Sequence, residues 1–159
     1  MTGSLCYPPW EKKMPDCVVD ATVVAFSNGN IAGRRPGNVL DRRLTILEQV
    51  VTGTRRLRYN PRLLHEYEQL IQQYRNDVIE ALFSLLDDTR RSVLVRRNSL
   101  SRQDHARATG ACGWPSHDQH LLAAALDGAD PAIVVTEQRL NQCAQAILAQ
   151  FAIRIEYLG

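Results

Sequence analysis

Acidic side chains recur in this chain where buried strands should end and helices begin: Asp20, Glu66, Asp118 and Glu137, the last preceded by Thr136. Asp20 closes the apolar run Cys17-Val18-Val19, and Thr136-Glu137 closes Ile133-Val134-Val135. A carboxylate is costly to bury without a partner. Several at the ends of buried strands therefore imply a shared counter-ion, and a hard divalent cation prefers oxygen ligands. The pattern reads as a metal-dependent phosphodiesterase site.

Other chemistry-bearing residues fit less well. His65, His117 and His120 flank the acids; an imidazole suits a transition metal, but their helical positions are expected to be exposed. Ser116, His117 and Asp118 are neighbours in sequence and cannot converge as a nucleophilic triad. No phosphate loop or dinucleotide fingerprint occurs. Cys6, Cys17, Cys112 and Cys143 lack CxxC spacing, which gives little support to a zinc site or disulfide framework and leads to an expectation of reduced thiols. Of the 19 basic residues, all but Lys12 and Lys13 are arginine, the side chain that forks onto phosphate. One group holds Arg34, Arg35, Arg42, Arg43, Arg55, Arg56, Arg58 and Arg62; another holds Arg90, Arg91, Arg96, Arg97, Arg102 and Arg107. Each group reads equally as a phosphate-binding surface or a solvated one. Asn28 and Asn30 are candidates for touching substrate or for a plain turn.

The elements must position these groups. The chain has 159 residues and 45% hydrophobic content, enough for one domain with a core. No apolar stretch reaches the roughly 20 residues of a membrane span, and Met1 to Trp10 lacks the order of a signal peptide. The expectation is a cytoplasmic protein without membrane association, with an irregular arm over 1–15 and one domain over 16–159.

Residues 16–20 read as a short parallel strand, with Thr22 capping a helical turn from Val23 to Phe26, then a loop from Ser27 to Gly37. Val39, Leu40, Leu44, Leu47, Val50 and Val51 predict a helix that Gly53 ends. Leu57 to Tyr59 is a strand, and Asn60-Pro61 starts a helix carrying Glu66, with a second helix from about Asn76 that is a candidate to pair with it as a hairpin. Ser92 to Val95 is a strand or a helix end, and Asn98 to Gly113 a long loop or short exposed helix. Ser116 is the expected cap of a helix ending at Asp127-Gly128. Ala132 to Val135, Gln138 to Gln150 and Phe151 to Tyr157 complete a strand, helix, strand series. Such alternation implies an α/β three-layer α/β/α sandwich around a central parallel sheet, with ligands beyond the strand carboxyl ends.

Four stretches resemble PIN-domain proteins of the toxin–antitoxin kind, from about Cys17 to Tyr157. They are Val18-Val19-Asp20-Ala21-Thr22-Val23; Asn60-Pro61-Arg62-Leu63-Leu64-His65-Glu66-Tyr67; Asp118 to Leu126 with Gly128-Ala129-Asp130; and Ile133-Val134-Val135-Thr136-Glu137-Gln138. Ala21-Thr22 stands where the family usually has Thr-Asn, and Gln138 where it has Asp. The resemblance implies an endoribonuclease dependent on Mg²⁺ or Mn²⁺, held by Asp20, Glu66 and Asp118, with Glu137 as a further catalytic carboxylate. Thr136, Asn28, Arg34 and Arg35 would contact an RNA substrate. It also implies a homodimer neutralised by an antitoxin protein; the apolar faces of the helical pair at 61–87 are the expected dimer surface. The Gln138 departure motivates the alternative, a catalytically decayed module that binds RNA or protein.

Overall fold

In the computed structural model, which describes residues 14–27, 37–70 and 76–159, five strands form one parallel sheet. In chain order they are β1 (Asp16–Val19), β2 (Arg56–Tyr59), β3 (Ser92–Leu94), β4 (Ala132–Val135) and β5 (Arg154–Tyr157), and their order across the sheet is β3-β2-β1-β4-β5. Every pairing is parallel; Cys17 faces Leu57 on one side and Ala132 on the other. β1 and β4 are buried along their whole length, as continuous apolar runs in the middle of a parallel sheet must be. Asn28, Arg34 and Arg35 lie outside the described residues, as does the arm before residue 14.

Eight helices make the crossovers among the described residues: α1 (Ala21–Ser27), α2 (Gly37–Thr52), α3 (Pro61–Leu70), α4 (Asp77–Leu85), α5 (Arg102–Cys112), α6 (Gln119–Ala125), α7 (Gln138–Asn141) and α8 (Ala144–Phe151). From β1 to β3 the chain steps one way across the sheet, and from β3 to β5 the other. Right-handed crossovers then put α1–α4 on one face and α5–α8 on the other. The packing agrees: α2 lies on α4, α5 on α8, and α6 on β1, β2 and β4. This is a mixed α/β structure with helices flanking a central parallel sheet, consistent with a three-layer sandwich. One apolar core runs from Cys17 to Leu158, each fully buried Val, Leu or Ile contributing roughly 1.5–3 kcal/mol.

Local signals explain most boundaries. The Asn60 side chain accepts from Leu63 N at 3.0 Å and so caps α3, with Pro61 at the first helical position. Asn76 caps α4 in the same way. The polar stretch after Asn98 is a helix after all, capped by Ser101 and ended by Gly113 at φ 70°. Four expectations fail. Thr22 sits inside α1 rather than capping it. Ser116 opens a 3₁₀ turn, Ser116–Asp118, and does not cap α6. The helix over 138–150 is two helices joined at Cys143. α4 packs on α2, while α3 packs on α1 and α6, so among the described residues α3 and α4 do not pack together as a hairpin.

The cysteines also depart from expectation. Cys112 and Cys143 form a disulfide, 31 residues apart, their Cα atoms 5.4 Å apart. The stacking of α5 on α8 brings them together, and nothing in their spacing foretells it. Cys17 stays a free, buried thiol, which burial pushes up to about 12. No helix among the described residues is long and apolar enough to cross a membrane.

At the amino end of the sheet Asp16 is buried and fully matched. It accepts from Arg56 Nε at 2.8 Å and Ala129 N at 2.8 Å, with Arg58 Nη1 3.5 Å away. Gly128 makes room for this cluster: a Cβ there would lie 3.1 Å from Asp16 Oδ2. Arg58 also caps the end of α6, donating to Ala124 O and Leu126 O at 2.7 and 2.8 Å. Asp16→Ala leaves these guanidinium groups without their carboxylate, and is expected to lower stability by roughly 3 kcal/mol in urea unfolding.

Candidate functional site

The acids converge at the opposite, carboxyl end of the sheet. Asp20 is the first residue past β1, its N–H donating to Val134 O at 3.0 Å, so the ladder with β4 places it. Thr22, one step into α1, donates to Asp20 Oδ2 at 3.2 Å and shares a 2.8 Å hydrogen bond with Thr136, the first residue past β4. Two strand ends are thereby joined through a pair of hydroxyls.

Glu66 arrives from α3. Its neighbour Tyr67, buried, donates its phenol to the Val19 carbonyl and pins the helix to the end of β1. Glu66 is held between two bases: Arg62 Nε at 3.4 Å from Oε1, one helical turn away, and His120 Nε2 at 3.1 Å from Oε2. Asp118 occupies the position before α6, but its side chain caps nothing. Trp114 Nε1 donates to its carbonyl at 3.0 Å and fixes the backbone there. Asp118 Oδ2 is buried and accepts no hydrogen bond, although His117 Nε2 lies 3.2 Å away out of line.

The electrostatics show that these groups feel one another. Burial, then repulsion from Asp118 and Glu66, pushes Asp20 up to about 6. Burial, then the charges of Glu137 and Glu66, raises Asp118. Burial would raise Glu66 too, but the hydrogen bond and charge of His120, with Arg62, outweigh it and hold Glu66 below the ordinary carboxylate range. Glu137 itself is exposed, as is Gln138. The four acids thus share one edge, with Glu137 at its rim.

As the side chains stand, no group of three or more His, Cys, Asp or Glu among the described residues is arranged to hold a metal ion. The donor chemistry nevertheless fits a hard divalent cation. Asp20 and Asp118 are oxygen donors held in mutual repulsion, and Asp118 Oδ2 is a buried acceptor without a hydrogen bond. Mg²⁺ needs only one or two carboxylates when waters and phosphate oxygens complete its shell.

Sequence reasoning missed two members of this edge. Thr22, expected as a cap, joins Asp20 to Thr136. His120, expected to be exposed, is 2% exposed; its signal is the run Leu121 to Ala125, apolar on every side, which marks a helix buried all round. His65 and His117 are exposed as expected. Part of the first arginine group is spent on structure, while Arg90, Arg96, Arg97, Arg102 and Arg107 of the second are exposed. Arg43 is buried and donates to Leu158 O, Arg55 pairs with Glu156 at 3.0 Å, and Arg56 and Arg58 serve Asp16.

The raised Asp20 has a consequence for stability. Between its ordinary value of 3.8 and about 6, the folded protein keeps a proton that the unfolded chain has released. Stability therefore falls as pH rises through that window and stays lowered above it. Asp20→Asn is expected to stabilise the metal-free protein at pH 7.5 by about 1–3 kcal/mol, and to flatten the pH 4–6 slope in urea titrations.

No protein-family model matches the chain, and no curated protein or solved structure matches it significantly. What the fold displays is a parallel α/β sheet consistent with a PIN-like topology.

Proposed function

We propose that this chain is a PIN-like module whose carboxylate edge takes Mg²⁺ or Mn²⁺ and hydrolyses RNA phosphodiester bonds. The observation that carries the reading is Asp20, lifted to about 6 by burial beside Asp118 and Glu66. Bringing like charges together destabilises the free protein unless a cation relieves them. When bound, such an ion would neutralise phosphoryl oxygens and activate a water. Asp20, Asp118 and Glu66 would hold it, Thr22 and Thr136 would orient a water through their shared hydroxyl contact, and the rim carboxylate of Glu137 would face the substrate side. Residues 16–159 would work as one unit, as the single core from Cys17 to Leu158 supports. A homodimer, an antitoxin partner and a cytoplasmic setting belong to the same reading; the last would expose the Cys112–Cys143 bond to reduction.

A second reading is a module on the same scaffold that binds RNA or a protein without cutting. The carboxylates as they stand lend it more support than they lend the first: no three donors are gathered for an ion among the described residues, and Gln138 is an exposed amide where a fourth acid would be. The cutting reading requires the ion to draw the acids inward.

One assay separates the two. Purified protein with Mn²⁺ is expected to cleave single-stranded RNA, to stop with EDTA, and to lose at least about 100-fold in rate on Asp20→Asn while remaining folded. RNA binding with no Mn²⁺-dependent cleavage gives the decision to the second reading.

A further inference from the structure

We infer that His120 is a positioning residue, fixing the Glu66 carboxylate at the edge of the pocket. The inference draws on the cation reading only for its consequence, because the contact itself belongs to the protein. His120 Nε2 lies 3.1 Å from Glu66 Oε2, and the ring is buried. Its Nδ1 is also buried and has no hydrogen-bond partner. A buried polar atom left unsatisfied needs an explanation. Here the ring has spent its one contact on Glu66, and with nothing at Nδ1 the shared proton belongs on Nε2.

The ring can do this because its backbone is anchored to the same helix start that carries Glu66. Asn60, fully buried, caps α3 with Oδ1 and donates Nδ2 to His120 O at 2.9 Å and to Arg97 O at 3.0 Å. One amide thereby ties α3 to α6, and the imidazole adds a second tie nearly two turns further along α3. Arg62 is a poorer holder: its pair with Glu66 is longer and solvent-exposed, the kind that contributes little. Glu66 is a long side chain, partly exposed. Held by His120 it is pre-ordered for an ion; released, it would have to be ordered at the moment of capture. None of the resemblance motifs assigns a role to this position.

The experiment has two arms on the full chain. Mn²⁺ affinity is measured by calorimetry for the wild type, His120→Ala and His120→Gln, with folding checked by circular dichroism. His120→Ala is expected to weaken Mn²⁺ binding about 10- to 100-fold, and His120→Gln, whose amide N–H reaches the same carboxylate, to recover most of it. Folded variants that all bind as the wild type does would overturn the inference while leaving the cation reading intact. In the second arm, proton NMR of the metal-free wild type is expected to show a solvent-protected imidazole N–H that disappears in Glu66→Ala. If the wild type takes up no Mn²⁺, the cation reading fails and this signal alone decides. Its presence and loss in Glu66→Ala sustain the positioning role, and its absence from the wild type ends it. The same signal decides if His120→Ala does not fold.

Discussion

β1 opens on one aspartate and is followed by another, and the two meet opposite treatment. Asp16 is enclosed by Arg56, Arg58 and the Ala129 amide, a buried charge with its partners in place. Asp20, four residues on, is set beside Asp118 and Glu66 with no arginine against it among the described residues. Burial without a matched cation is a constraint that folding alone does not favour. The scaffold at this edge is arranged around it: Thr22 and Thr136 from two strand ends, Tyr67 pinning α3 to Val19, and Trp114 holding the Asp118 backbone. Each of these contacts lowers the freedom of the repelling carboxylates to separate.

The asymmetry explains how the arginine-rich composition is used. A chain with 19 basic residues and a net charge of only +2 reads equally as a phosphate-binding surface or a solvated one. In the fold, Arg55, Arg56 and Arg58 are committed to carboxylates or carbonyls, and Arg58 does both, meeting Asp16 and closing α6. Planar, always charged guanidinium groups suit such forked internal contacts. The pairs on Asp16 lie at the amino end of the sheet, opposite the edge that carries Asp20 and Asp118.

Two ties hold the segments that carry the site. Asn60 links the start of α3 to α6 and to the stretch after β3. The Cys112–Cys143 bond links α5, six residues before Asp118, to the α7–α8 joint, six residues after Glu137. Both ties fix the segments from which Asp118 and Glu137 project without contributing charge.

The elements legible in the sequence were those specified by neighbours in the chain. Asn60-Pro61 starts a helix because a side-chain oxygen three residues away caps it, and Ile133 to Val135 makes a strand because an apolar run needs cover on both faces. Acids just past such runs were bound to reach one edge, since parallel strands all end there. What the tertiary structure alone decided depends on which helices stack. The turn of Thr22 toward Thr136, the burial of His120 against Glu66, the pairing of Cys112 with Cys143 and the choice of acid for each arginine join residues between 31 and 114 positions apart, or rest on α6 being covered on every side. Local propensity carries no information about such distant partners; packing selects them once the crossovers have set the layers.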